Sequence, residues 1–145
     1  MKKILLPIDG SMTCFGSYDM AKKLAVQFDA EIIILHVQEP IQPFVWINEA
    51  YVAEKIDVHV EEHSKKLLEN AKAYFLDDKL NEPIKVTTKT EVGDPAQTII
   101  DIADEDSCDV IIMCTHGMSA VKRFLMGSVT NKVVHHAKQS VLIVR

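Results

Sequence analysis

The sequence predicts an α/β domain, an open five-stranded parallel sheet with helices on both faces. Three observations predict it. Short runs rich in β-branched and other apolar residues recur at Lys3–Ile8, Glu31–Val37, Ile84–Thr90, Asp109–Cys114 and Ser140–Val144. Longer stretches between them repeat their apolar residues at helical spacing. The runs EIIILHV and DVIIMC are continuously apolar rather than alternating, as in strands buried on both faces. Strands alternating with helices make parallel crossover units. Right-handed crossovers restrict the sheet order to a few solutions.

The first strand, Lys3–Ile8, ends in the acidic turn Asp9-Gly10-Ser11. Tyr18, Ala21, Leu24, Ala25 and Phe28 then mark the inward stripe of a helix. After the second strand, residues 38–50 carry Pro40 and Pro43 and read as an irregular loop. Its Phe44 and Trp46 fit either a binding surface or lid, or a local packing cluster. From about Ala50 to Leu76, the positions Val52, Ile56, Val60, Leu67, Ala71 and Phe75 define one helical face. Glu61–Lys65 and Glu62–Lys66 are favourable pairs on its solvent side. Pro83 separates this helix from the third strand. Asp94-Pro95 after Gly93 is a helix start, a capping carboxylate followed by proline at the first position. Ile99, Ile102 and Ala103 give that helix its buried stripe. The fourth strand, a helix from about Ser128 to Ala137 and the fifth strand complete the pattern. With no internal repeat, a single domain over residues 1–145 is expected.

A chain of 145 residues can bury a core without staples. With 48% hydrophobic and 26% charged residues, and only 5 Gly and 5 Pro, it is globular rather than low-complexity. A net charge of −5 argues against a broad nucleic-acid surface. No run approaches the ~18 apolar residues of a membrane span. The opening MKKILLPIDG is cut short by Pro7 and Asp9, so no secretory leader is expected. Cys14, Cys108 and Cys114 are odd in number and lack CxxC spacing. They fit a reducing cytoplasm and packing as small hydrophobes.

Parallel sheets bind ligands beyond the carboxyl ends of their strands, where the strand order reverses. That directs attention to the loops after strands one and four. Strand four is followed by Cys114-Thr115-His116-Gly117, a nine-residue spacer, and Gly127-Ser128-Val129-Thr130 opening the last helix. A glycine at a strand end admits close backbone approach by a ligand. A helix N-terminus offers unpaired N–H groups and about half a unit of positive charge, suited to anions. The hydroxyls of Ser128 and Thr130 add donors. The pairs His59/His63 and His135/His136 lack a carboxylate or cysteine at ligand spacing, so no intrinsic metal site is expected.

On these residues the chain resembles the universal stress protein family over essentially its whole length. KKILLPIDGS is similar to the family's first strand and turn, EVGDPAQTIIDIADEDSCDVIIMCTHG to its middle block, and GSVTNKVVHHAKQSVLIVR to its closing helix and strand. The resemblance implies a Rossmann-like, adenine nucleotide alpha hydrolase-like fold with strand order 3-2-1-4-5. ATP-binding members carry Gly, two residues, Gly, nine residues, then Gly-Ser or Gly-Thr. Gly117, the spacer Met118 to Met126 and Gly127-Ser128 match; the first glycine is replaced by Cys114. The implied cofactor is ATP, with Mg²⁺ where its phosphates carry one. By the same resemblance Pro7 and Ile8 lead into Asp9, which faces the ribose or a phosphate-bound metal. Val37 offers its backbone to the adenine edge. Met113, Cys114, Thr115, His116 and Gly117 line the ribose and phosphates, and Gly127, Ser128, Val129 and Thr130 cradle the phosphates. Lys122 and Arg123 in the spacer either screen phosphate charge or form a solvated face.

Enzymatic activity is the weaker expectation. There is no GxxxxGK[ST] loop. DGSMTC lacks the Ser-Gly-Gly signature of the related adenylating pyrophosphatases, and neither Cys14 nor Cys108 has an identifiable base. The leading expectation is an ATP-binding stress-response regulator acting as a homodimer. The alternatives are a nucleotide-free dimeric interaction protein of the same fold, and a slow ATPase or autokinase. SVLIVR reads as a short apolar edge strand that needs a partner. The resemblance implies pairing of two copies through Val141 to Val144 across a two-fold axis. Neither nucleic acid nor membrane is expected as a partner.

Overall fold

The computed structural model describes residues 1–10, 15–40, 49–76, 83–115 and 126–144, with the backbone alone for residue 15 and residues 49–60. The strands are β1 (Lys3–Ile8), β2 (Glu31–Gln38), β3 (Val86–Val92), β4 (Val110–Cys114) and β5 (Ser140–Val144). The helices are α1 (Phe15–Phe28), α2 (Glu49–Phe75), α3 (Pro95–Glu105) and α4 (Ser128–His136). All four pairings are parallel, and the sheet order is β3-β2-β1-β4-β5, as the sequence predicts. The order reverses between β1 and β4, which places the ends of these two strands at the switch point.

Both faces of the central strands are apolar because both are covered. Ile4, Leu6, Ile32, Ile34 and Ile112 pack against Ala21 and Ala25 of α1 and Leu68, Ala71 and Phe75 of α2. Leu5, Ile33, Leu35, Ile111 and Met113 pack on the other side against Ala96, Ile99, Ile102 and Ala103 of α3 and Val133 of α4. Each fully buried Leu or Ile contributes about 1.5–3 kcal/mol, so the two layers supply most of the stability. Tyr18, Tyr74 and Phe75 close the α1–α2 side, with ring centroids 5.4–5.6 Å apart.

Three expectations need correction. The third strand runs Val86–Val92 rather than Ile84–Thr90. Ile84 is buried ahead of the ladder, which starts where Ile32 N donates to Lys85 O and is held to its end by Gly93 N donating to Gln38 O. Phe28 is 48% exposed instead of inward, because Asp29 turns the chain with φ 50° and the stripe of α1 stops at Ala25. Among the described side chains of α2 the buried positions are Ser64, Leu68, Ala71 and Phe75, with Leu67 only half-buried. Hydropathy misses Ser64, which is buried because Gln38 Nε2 donates to its hydroxyl. The side chains of Val52, Ile56 and Val60, and the residues Cys14, Phe44 and Trp46, lie outside the described residues. Among the described residues no helix is long and apolar enough to cross a membrane.

Candidate functional site

The two segments flanking the spacer meet at one corner. Thr115 N donates to Val144 O at 3.1 Å, Gly127 N to Thr115 O at 2.8 Å, and Thr130 Oγ1 to Cys114 O at 3.0 Å. The end of β4, the end of β5 and the first turn of α4 are therefore stitched together. The β1–β4 ladder runs Ile4↔Val110 and Leu5↔Ile111, so beyond these pairs the strands part at the switch point. Asp9 and Thr115 stand just past the two strand ends.

The start of α4 has no side-chain cap among the described residues. Its first helical bond is from Asn131 N to Gly127 O at 2.9 Å, so the amides of Ser128, Val129 and Thr130 precede any acceptor within the helix. Gly127 at the cap makes no side-chain hydrogen bond. The contrast with α3 is instructive: there Asp94 accepts from Gln97 N at 2.9 Å and Pro95 follows, so that helix carries its own anion. Gly127 has φ −57° and ψ 152°, a conformation open to any residue. A Cβ there would sit 3.4 Å from Thr115 O, an ordinary contact. What the glycine achieves is a helix start that no side chain of its own covers.

The remaining site residues divide by what their side chains do. Thr130 is buried and spends its proton on Cys114 O, so it is a strut of the corner, while Ser128 is exposed at the helix mouth. Cys114, in the motif's glycine position, directs Sγ to Ser17 Oγ of α1 at 3.4 Å. Among the described non-glycine residues only Asp29 and Ser107 take positive φ, so Cys114 lies in β4 without backbone strain. Met113 is buried and Val37 half-buried in the α3–α4 layer. Ile8 is buried in the α1–α2 layer, Pro7 half-buried, and Asp9 exposed. Gly10 follows with φ +79°, the left-handed region where glycine belongs. His116, Gly117, Lys122 and Arg123 lie outside the described residues.

Lys132 of α4 lies 3.6 Å from Asp94 and joins the starts of α3 and α4. The Asp94 carboxyl is held below its usual range, chiefly by the Gln97 amide and then by Lys132. Burial pushes the Cys108 thiol up to about 11, which makes it an inert packing group. Among the described residues no three His, Cys, Asp or Glu side chains could hold a metal ion together. Sequence reasoning missed His36, near the end of β2. Its Nδ1 is buried with no hydrogen-bond partner among the described residues, and burial foremost, then His63, holds its pKa below the usual value against the pull of Asp9. A lone histidine inside an apolar strand was the only available signal.

A family model described as the universal stress protein family matches residues 1–145. The chain belongs to the universal stress protein family. Universal stress protein MJ0531 of Methanocaldococcus jannaschii is 32% identical over 99% of this chain and 82% of its own length. The solved structure of the hypothetical protein MJ0577 is 31% identical and superimposes with a TM-score of 0.80, covering 99% of this chain and 94% of the other. More distant universal stress proteins share the fold. One was solved in complex with cAMP (22% identity, TM-score 0.67, 99% and 96% covered). Another, from Archaeoglobus fulgidus, was solved in complex with dAMP (17%, TM-score 0.64, 100% and 98% covered).

Proposed function

We propose that this universal stress protein binds an adenine nucleotide, ATP, and acts as a cytoplasmic regulator rather than a catalyst. The observation that carries the reading is the start of α4, without a side-chain cap among the described residues, held against the end of β4. Three main-chain N–H groups with the helix dipole behind them suit phosphate oxygens. Hydrogen bonds to a charged partner contribute about 1.5–3 kcal/mol each. Adenine and ribose supply the rest, with the backbone at Val37 on one side of the crevice and Asp9 at the ribose. Cys114 is compatible with this because its side chain turns toward Ser17 and leaves the main chain in an ordinary strand conformation. The cAMP and dAMP complexes support adenine nucleotides as the ligand class of the fold.

The sequence contains no Walker lysine to drive efficient hydrolysis. Bound ATP would therefore act by changing the surface the protein presents. The edge strand β5, whose apolar residues remain half-exposed, supports an isologous homodimer through Val141 to Val144. The test is to denature the purified protein, identify any released nucleotide, and record thermal shifts with ATP and Mg²⁺. Released adenine nucleotide, or a saturable upward shift, is expected. No nucleotide and no shift at saturating ATP would overturn the proposal in favour of a nucleotide-free interaction protein.

A further inference from the structure

We propose that the outer edge of β3, with the groove between it and α2, pairs two copies of this chain across a two-fold axis at Thr90. β3 is the edge of the sheet opposite β5, and among the described residues no strand lies on its outer side. Ile32 N donates to Lys85 O and Gly93 N to Gln38 O, so the odd-numbered positions of β3 turn their main chain to β2. The amides and carbonyls of Thr88, Thr90 and Val92 therefore face outward. Their side chains are exposed and line one bank of the groove. A row of outward main-chain groups is a template for another strand.

Charge selects both the partner and the register. Two antiparallel copies of β3 centred on Thr90 exchange both hydrogen bonds between the Thr90 residues and pair Thr88 with Val92 of the second copy. Lys89 then stands opposite Glu91 of the second copy, a favourable cross-strand pair. Centring one residue earlier or later would set Lys89 against Lys89 or Glu91 against Glu91. The other bank of the groove carries Glu61, Lys65, Glu69 and Lys72, alternating in sign along α2. The two-fold axis sets the second copy's α2 antiparallel to the first, bringing Glu61 to Lys72 and Lys65 to Glu69. The midpoints of these two pairs coincide within about 1 Å along the helix. Ser64, bonded to Gln38 in register with Val92, fixes the level of the row. α2 returns antiparallel to the strands, four helix residues rising about 6 Å and two strand residues about 6.6 Å, so Leu68 stands at the level of Thr90. The axis thus passes within roughly 2 Å of the centre of the charge row. α2 packs over Ile32 and Ile34 of β2 and Val86 of β3. The two helices therefore lie about two strand spacings apart, roughly 10 Å, the distance at which helices pack.

Sedimentation equilibrium on the intact chain between about 10 µM and about 0.5 mM, a range that registers weak self-association, tests this. The mass should rise with concentration to at least twice its low-concentration value. In Ile143→Pro, which blocks pairing through β5, the rise should remain and stop at two chains, so the two edges are read separately. Thr90→Pro removes an amide that faces away from β2 and should weaken the association by about tenfold or more. Lys65→Glu should weaken it by about threefold or more, and Lys65→Glu combined with Glu69→Lys should restore it. A mass that stays constant with concentration, an association that Thr90→Pro or Lys65→Glu leaves intact, or a charge swap that fails to restore it would overturn the proposal. Should Thr90→Pro fail to fold, the swap at the exposed Lys65 and Glu69 decides alone.

Discussion

Replacing Gly127 by aspartate separates a helix start kept open for an anion from one that is glycine by accident. The φ and ψ of Gly127 suit an N-cap residue, and its Cβ would make only an ordinary contact with Thr115 O. The new carboxylate can accept from the free amides of α4, as Asp94 does for α3. An aspartate cap in place of glycine contributes a few tenths of a kcal/mol, and its charge at the dipole about 0.3–1 kcal/mol more. In a chain of this size the nucleotide-free protein should melt about 2–4 °C higher. The same carboxylate would face the nucleotide's phosphates. Unit charges about 4 Å apart repel by about 4 kcal/mol at an effective dielectric of about 20, and solvent at the helix mouth halves this. About 2 kcal/mol is roughly a 30-fold loss of affinity. Calorimetric titration of ATP into both proteins, beside their melting curves, reads the two effects together. A folded Gly127→Asp protein that binds ATP within twofold of wild type would refute the reasoning.

Other outcomes follow from the same geometry. Cys114→Gly should lower stability by about 0.5–1 kcal/mol, as glycine does within a strand, yet change ATP affinity less than about threefold, because Sγ points to Ser17; urea melts and titrations check both. Phe75→Ala, which empties a site only 1% exposed between Tyr18 and Tyr74, should cost about 3–5 kcal/mol in a urea melt. Asp109 accepts from the amides of Lys2 and Lys3, which lower its pKa, so its contribution is present above the ordinary aspartate value and lost as pH falls through the folded one. Asp109→Asn should therefore flatten the fall of the urea midpoint between pH 5 and 3. Ile143 N–H alternates with Val144, whose carbonyl faces β4, and so points to the free edge. Ile143→Pro should convert a dimer to monomers in sedimentation analysis.

Much of the fold was legible because the central strands are apolar on both faces, which few other arrangements produce. The start of α3 was legible because Asp94 and Pro95 act locally, within one turn. The extent of β3 was not, since Gly93 and Gln38 set it across the sheet. Ser64 and Phe28 escaped for a related reason: one is buried by a distant hydrogen bond, the other exposed by the turn at Asp29. At the site, the spacing of Gly127 from strand four revealed the helix start, but not what each group does there. Thr130 looks like a phosphate donor in sequence and proves to be a strut, because its acceptor is a carbonyl sixteen residues earlier. The buried Nδ1 of His36, without a hydrogen-bond partner among the described residues, leaves no local trace.

The central claim is that the amides opening α4 hold the phosphates of an adenine nucleotide. Titrating ATP into ¹⁵N-labelled protein and following Ser128, Val129 and Thr130 tests it most directly. Those three amides should shift saturably, ahead of the α3 amides at Ala96 and Gln97, and need roughly 30-fold more ATP in Gly127→Asp. Saturable binding that leaves them unmoved, or no binding at millimolar ATP, would contradict it.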